Sequence, residues 1–432
     1  MYHFSMIKLV RRHPTKLDRE LKEAFINLYR PFRWVPCFMH NFLEKTVKNV
    51  KKHSVIIEFH DDALYDDKVS LASSVIKKKW RSEIKHHYPS FSSCSAVLTP
   101  AAIEALLDNH GSVKKIHTDR KVRALLDIAR SAIKADVLHS QAIKGEGITI
   151  AVVDTGIYPH QDLLGRIKAF KDFVKNKTNP YDDNGHGTHC AGDAAGDGAA
   201  SNGLYTGIAP KASLVGVKVL DRMGSGSLSS VMSGIQWCID NQKLLNINVL
   251  SLSLGSSATV PAADDPMVKA VEAAWDAGII VCVAAGNEGP DEKTISSPGI
   301  SPKVITVGAM DDENTKERVD DQAADFSSRG PTVDGLVKPD VISPGVNIVS
   351  LRSPNSYLDK LNKANRVANN YFSLSGTSMA TPICAGVAAL ILQVHPDLLP
   401  DDVKKKLMET AENWKLSPYV QGAGYIQAEK AI

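Results

Sequence analysis

From Ile148 onward the chain alternates between short, wholly apolar runs and longer stretches in which apolar residues recur every three or four positions. Ile148–Val153, Ser213–Leu220, Ile247–Leu252, Ile279–Ala284 and Val304–Val307 are of the first kind. A strand with one wet face would alternate, so continuous runs predict strands buried on both faces. Leu228–Asn241 and Pro266–Ala277 are of the second kind and predict amphipathic helices. Strands interleaved with such helices predict a parallel sheet covered on both sides, with ligands at the carboxyl ends of its strands.

The chain before Ile148 is patterned differently. Ser54–Phe59 reads as a strand, Lys68–His86 as a helix and Phe91–Leu98 as a second strand. Pro100–Asn109 reads as a helix opened by Thr99 as N-cap, with proline at its first position. Val113–Leu126 contains a further strand, which makes the whole a β-α-β-α-β module. Ahead of it, the spacing of Leu17, Leu21, Phe25 and Leu28 predicts a helix packed on its own protein. Pro31, Pro36 and the Lys48, Lys51, Lys52 cluster read as a linker, and residues 124–147 as a bridge to the part that follows.

Charge sharpens this division. The net charge of +3 hides a front part, residues 1–140, with 25 Lys and Arg against 15 Asp and Glu, and an acidic remainder. A basic front part is either a nucleic-acid arm or a surface that docks on its acidic neighbour. Its basic residues alternate with ordinary core residues, and no zinc finger, aromatic RNA-binding motif or helix-turn-helix signature accompanies them, so docking is the expectation and nucleic acid is not. No run approaches the ~18 apolar residues of a membrane span. The charged N-terminal residues Lys8, Arg11, Arg12 and Lys16 do not read as a secretion signal, so the expected location is cytoplasmic. Six scattered cysteines, none in a C-x-x-C pair, predict buried free thiols rather than disulfides.

Four short segments carry chemistry. Asp154 follows an apolar strand in D-T-G-I. His186 sits between glycines in N-G-H-G-T-H-C-A-G at a loop-to-helix junction, where the imidazole has room to meet a substrate. The pair His186 and His189 lacks the glutamate and the i, i+4 spacing of a zinc helix, which argues against metal there. Ser378 lies in S-G-T-S-M-A-T-P, ahead of the apolar stretch Ile383–Val394 that reads as a buried helix. Taken alone, Ser378 is as good an N-cap as a nucleophile. Asn287, in A-A-G-N after another apolar strand, offers an amide that can donate to a developing oxyanion, or is simply a turn residue.

Together these segments resemble the subtilases. D-T-G, H-G-T-H-C-A-G and G-T-S-M-A-T-P match the family's three signatures in the family's order, and A-A-G-N matches its oxyanion segment. Within the family the chain is similar to the AprX-type bacterial serine proteases. The resemblance runs from about Lys134 to the C-terminus. It implies a serine endopeptidase with an α/β, three-layer subtilisin-like fold around a parallel central sheet, over residues 134–432. It further implies a catalytic triad of Asp154, His186 and Ser378, with Asn287 in the oxyanion hole. Met223–Leu228 and Ser251–Gly255 resemble the strands that hold a peptide substrate. Gly224, Gly226, Leu228, Ser253, Leu254, Gly255, Ala285, Gly286 and Ser296 are then substrate-binding, with Val231 beside Leu228 and Leu254 either in an apolar subsite or simply in the core. No acid is evident at the primary pocket, so the specificity expected is broad, with apolar residues favoured next to the cleaved bond. The chemistry requires no cofactor. Many subtilases bind structural calcium; Asp162 falls within about one residue of a ligand position, with only Asp197 and Asn202 as further side-chain oxygens in the Gly196–Gly207 loop, which leaves calcium open. Asp182-Asp183-Asn184 reads as a solvated turn. Residues 54–126 resemble the family's inhibitory propeptide, a small α+β (ferredoxin-like) prosegment, with residues 1–53 as a helical extension and linker. The partners implied are protein or peptide substrates and the chain's own prosegment, with no membrane.

Overall fold

The structure is a computed structural model and describes residues 5–29, 40–60, 64–79, 81–89, 92–109, 111–118, 126–313, 315 and 318–432. The chain divides into two compact units, Met1–Val122 and Arg123–Ile432.

In the first unit, strands β1 (His53–Phe59), β2 (Glu83–Tyr88), β3 (Ser93–Leu98) and β4 (Val113–Thr118) form one antiparallel sheet in the order β2-β3-β1-β4. Along β1 alternate residues Val55, Ile57 and Phe59 are buried against helices α4 (Tyr65–Lys77) and α5 (Pro100–Asn109). Two sequence expectations are corrected here. The helix expected to reach His86 stops at Lys77, Arg81 takes a left-handed φ of 63°, and the chain returns as β2. That strand was hidden because it is the exposed edge of the sheet, with Glu83, Lys85, His86 and His87 in place of an apolar face. The expected linker is also structured in part. Three helices, α1 (Ser5–Arg12), α2 (Arg19–Tyr29) and α3 (His40–Val50), send Met6, Leu9, Leu21, Phe25 and Val47 into the same core as β1. Lys48 therefore lies on a helix, while Pro31 and Pro36 fall outside the described residues.

The second unit opens with α6 (Leu126–Ala132) and α7 (Ala135–Ser140). Its central sheet runs β11-β10-β9-β8-β5-β7-β6, with β12 also on β10. The strands are β5 (Thr149–Asp154), β6 (Ile167–Asp172), β7 (Ser213–Lys218), β8 (Ile247–Leu252), β9 (Ile280–Ala284), β10 (Ile305–Asp311), β11 (Gln322–Ala323) and β12 (Val341–Pro344). All pairings are parallel except β10 with β11. β5 is buried at all six positions, as its unbroken apolar run predicts. Helices α8 (His186–Ala195), α9 (Leu228–Asp240), α10 (Gln242–Leu245) and α11 (Pro266–Asp276) connect the strands. A second, three-stranded sheet joins β13 (Ile348–Leu351), β15 (Tyr371–Leu374) and β14 (Arg366–Val367), with α12 (Tyr357–Leu361) between β13 and β14.

Helix α13 (Thr377–Val394) packs on α8 and on β8, β9 and β10, and α14 (Pro400–Glu409) packs on α13. Fifteen of its residues are buried. At roughly 1.5–3 kcal/mol for each large apolar side chain removed from water, the stretch from Ile383 to Leu392 anchors the whole layer. The expectation that no run approaches a membrane span is corrected here: α13 is the one helix among the described residues long and apolar enough to cross a bilayer, and 83% of it is buried inside the protein. Asp154, Ser253 and Asn287 all lie at or just past the carboxyl ends of β5, β8 and β9, the edge where α8 and α13 begin.

Candidate active site

Asp154 is the last residue of β5 and His186 the first of α8. Glycines let them meet. A Cβ on Gly187 would come within 2.3 Å of the Gly156 carbonyl and 3.0 Å of the Asp154 Cβ. Gly185 takes φ of 109°, and a Cβ there would sit 2.7 Å from Ser356 Oγ. His186 Nδ1 lies 2.8 Å from Asp154 Oδ1 and 3.0 Å from Oδ2. The carboxylate is 1% exposed and the imidazole 21%, so the ion sits dry behind a ring that reaches the surface. Burial alone would push the imidazole pKa down. The Asp154 charge outweighs it and, with Cys190 beside it, holds His186 well above its ordinary value.

Ser378 is the second residue of α13 and its hydroxyl donates to the Ser253 carbonyl at 3.2 Å. Pro382, four residues on, has no N–H to give the Ser378 carbonyl and so breaks one rung of the helix. That freed carbonyl accepts Ser253 Oγ at 2.7 Å and Cys190 Sγ at 3.4 Å. The proline thus lashes the start of α13 to the segment after β8 and to α8. Cys190 is fully buried, and burial pushes its thiol up to about 11, which keeps it a neutral donor rather than a nucleophile. Its Sγ, His186 and Asp154 place their ligand atoms within 4.8 Å of one another, as expected of a cysteine one helical turn after His186. His189 has no share in the cleft. Buried on α8, it contacts Asp193 through Nδ1 and the Ile348 and Phe372 carbonyls through Nε2, tying α8 to the second sheet.

Asn287 is exposed, and its Oδ1 accepts both the Thr377 N–H at 2.9 Å and the Thr377 hydroxyl at 3.1 Å. With the oxygen held on one side, the amide NH2 is the edge left for a substrate oxygen. The same hydroxyl accepts the Gly286 N–H at 3.3 Å, so Thr377 orders this turn from below.

The cleft beside His186 encloses about 540 Å³. Six of the nine expected substrate residues line it: Gly224, Gly226, Leu228, Ser253, Leu254 and Gly255, with Val231 as expected. Ala285, Gly286 and Ser296 do not line it. They form an adjoining turn in which Ser296 N–H donates to the Ala285 carbonyl at 2.8 Å and Ser296 Oγ packs on Gly286. Met223, the first residue of the expected substrate segment, lines it too, and so do Leu220, Met267 and Leu358, which sequence reasoning missed because they lie outside the two expected segments. No Asp or Glu is among the described lining residues.

The solvated-turn reading of residues 182–184 is corrected. Asp182 is buried and its carboxylate accepts five donors, from Thr155 Oγ1, Asn184 N, Gly185 N, Thr188 N and Thr188 Oγ1. It fixes the start of α8 to the residue after Asp154. Asp183 pairs with the fully buried Lys218, whose Nζ also donates to the Thr155 and Leu220 carbonyls at 2.5 and 2.8 Å. The signal available was a lysine inside the apolar strand V-G-V-K-V, which needs a buried partner. Asp162 does not line this cleft, and both its carboxylate oxygens are engaged by protein donors. The five described cysteines are free and buried; Cys37 lies outside the described residues.

The family model of the subtilases, peptidase family S8, matches residues 145–424. "Serine protease AprX" of Bacillus subtilis (strain 168) is 52% identical over 440 aligned residues, covering 100% of this chain and 99% of that protein. Subtilisin E of the same organism is 34% identical over 374 residues, 84% of this chain and 87% of that one. Among solved structures, Sphericase superposes with a TM-score of 0.55 at 31% identity, and an "S41 Psychrophilic Protease" with 0.56 at 32%. Each covers 66% of this chain and 92% of its own. The chain belongs to the subtilase family and is a subtilisin-like serine endopeptidase.

Proposed function

We propose that peptide hydrolysis proceeds through an acyl-enzyme on Ser378, with His186 as general base and Asp154 as its orienting anion. The observation that carries this reading is the His186 Nδ1 contact with a dry Asp154 carboxylate at 2.8 and 3.0 Å. With Nδ1–H committed to the carboxylate, Nε2 is the basic nitrogen. The Ser378 hydroxyl turns from the Ser253 carbonyl to Nε2, gives up its proton and attacks the scissile carbonyl. The imidazolium so formed is neutralised by Asp154 and then protonates the leaving amine. Water reverses the same path to release the acyl group. The Asn287 amide and the Ser378 backbone N–H, an unpaired donor in the first turn of α13, receive the oxyanion.

Gly224, Gly226 and Gly255 let the substrate backbone approach as an added strand between residues 223–228 and 251–255. Leu228, Val231 and Leu254 take an apolar side chain several residues before the cut, and Leu358 closes the cleft beside His186. Ser253, Gly255, Ala285, Gly286 and Ser296 surround the residue next to the cleaved bond, where an uncharged wall favours apolar groups and broad specificity. Residues 54–126 act as an intramolecular inhibitor. The basic charge of the front part and the acidic charge of the remainder support this.

A fluorophosphonate probe on the full chain and on Ser378→Ala tests the assignment, with cleavage of an apolar peptide followed in parallel. Labelling and cleavage lost together in the variant support Ser378 as nucleophile. Labelling that survives in Ser378→Ala refutes it.

A further inference from the structure

Structural calcium is common among subtilases, and Asp162 is the residue nearest a ligand position here. Calcium takes 6–8 oxygens, so its site must present acceptors on every side. Asp162 is surrounded by donors instead. Its side chain is fully buried, Oδ1 accepts the Ala200 N–H at 2.8 Å and Oδ2 accepts the Tyr371 hydroxyl at 2.7 Å. His160 adds no hydrogen to these oxygens: its Nδ1 accepts the Asp162 N–H at 3.1 Å and its Nε2 faces the Asn370 carbonyl at 3.0 Å. In the loop that follows, Asp197 Oδ1 is taken by the Ala199 N–H at 2.9 Å. A dication here would have to expel groups whose hydrogens already point at these oxygens.

The positive charge comes from the chain itself. Arg166, four residues past Asp162 and only 16% exposed, donates through Nη1 to the Ala195 carbonyl at 2.5 Å and the Ala212 carbonyl at 3.1 Å. Through Nη2 it reaches the Asp162 carbonyl and stands 3.6 Å from Asp197 Oδ2. Ala195 is the last residue of α8, the helix that carries His186 at its other end. The last four carbonyls of a helix have no partner within it and carry the negative end of its dipole. In α8 all four are accounted for. Gly192 O accepts from Gly196 N, Asp193 O from Ile208 N, Ala194 O from Ala209 N, and Ala195 O from Arg166.

We propose that the Arg166 guanidinium is the resident cation of this subsite, that it ties the end of α8 to the loop that follows, and that Asp162 is not a calcium ligand. Arginine suits the task because it is always charged and offers five donors in a fixed plane, enough for three carbonyls and a carboxylate at once. The loop from 196 to 207 is then held without metal, through Asp197 N–H on the Asp162 carbonyl and Ala200 N–H on its side chain.

The test is thermal unfolding of the full chain, inhibited with a sulfonyl fluoride, in chelator and in excess calcium. Arg166→Ala, Arg166→Lys and Asp162→Asn accompany the native sequence. The native protein should unfold at one temperature in both buffers. Arg166→Ala should lose roughly 5–10 °C in both, and chymotrypsin should begin to cut after Leu204 or Tyr205 in its loosened loop. Arg166→Lys should fall between, because one ammonium cannot span the three carbonyls. A chelator-induced fall in the native protein that Asp162→Asn abolishes overturns the proposal. So does an Arg166→Ala protein with native stability and an uncut loop. A chelator effect that Asp162→Asn leaves intact places any calcium elsewhere and supports it. If Arg166→Ala does not fold, the comparison of native protein with Asp162→Asn still decides.

Discussion

Replacing Thr377 by valine keeps the shape of the side chain and removes one hydroxyl that nothing else can supply. That hydroxyl donates to Asn287 Oδ1 at 3.1 Å and accepts the Gly286 N–H at 3.3 Å, in a site where Thr377 is fully buried. Asn287 keeps the Thr377 backbone N–H at 2.9 Å, so its amide loses one of two tethers, about 1 kcal/mol of preference for the productive orientation. In its proposed oxyanion role Asn287 acts on charge that appears only in the transition state, so this cost should fall on kcat, about fivefold, with KM nearly unchanged. Deleting an oxyanion amide outright costs about 3–4 kcal/mol, a magnitude measured on subtilisin rather than worked out for this chain. The unpaired Gly286 N–H costs a further ~1–2 kcal/mol in stability, visible as a lower Tm. The assay is steady-state cleavage of a chromogenic peptide by Thr377→Val, Thr377→Ser, Asn287→Ala and the double variant. Serine should restore kcat, and Thr377→Val should change nothing further once Asn287 is alanine. If Thr377→Val lowers kcat equally in both backgrounds, or lowers Tm while leaving kcat native, Thr377 does not act through Asn287.

The remaining expectations concern charge. As the proposed base, His186 works only when neutral, so kcat/KM should climb as pH rises through its elevated pKa; Asp154→Asn removes the charge that outweighs burial, and the acid limb of the residual activity should shift to lower pH. The same elevation means that protonated His186 stabilises the fold below the ordinary histidine pKa, and this is lost as pH rises through the folded value. Asp359 is held by Arg352 and Arg366; burial would raise its pKa, but the two guanidiniums pull it down to about 2. Its contribution is therefore present above the unfolded value of about 4 and lost as pH falls toward 2, so Asp359→Asn should be less stable at neutral pH and flatter in an acid melt across that window. If the basic front part docks by charge, inhibition by a separate Met1–Leu126 fragment should weaken steeply with salt, and a salt-independent inhibition constant would count against it.

What could be read from residues alone follows burial. Ile247–Leu252 was legible to the residue because a strand in the middle of a parallel sheet has no wet face to break its run. β6 was not, because Ile167–Asp172 lies at the sheet's edge and carries Lys168, Lys171 and Asp172 among its apolar positions. β2 was lost for the same reason. The residues of the candidate site were legible where chemistry forces a residue type within a short motif, as for Asp154, His186, Ser378 and Asn287. Those that support them were not. Asp182 looks like any turn aspartate until five donors converge on it, and Leu358 reaches the cleft from the segment between β13 and β15. Pro382 was quoted in the motif, yet its meaning lies in the carbonyl it leaves open to Ser253 and Cys190.

Helix α13 follows every strand of the sheet in the chain, yet it is the piece against which β8, β9, β10 and α8 close. During synthesis the ribosome delivers Asp154 and His186 long before it delivers this helix. Until then the sheet lacks its central cover and the protein lacks Ser378, which rides on the helix's first turn. With Ser378 as the proposed nucleophile, a growing chain cannot cut itself or its neighbours before this helix emerges. The cost is timing: an apolar segment fit for a bilayer must find its place late, among contacts distant in sequence, which is where slow folding and aggregation concentrate.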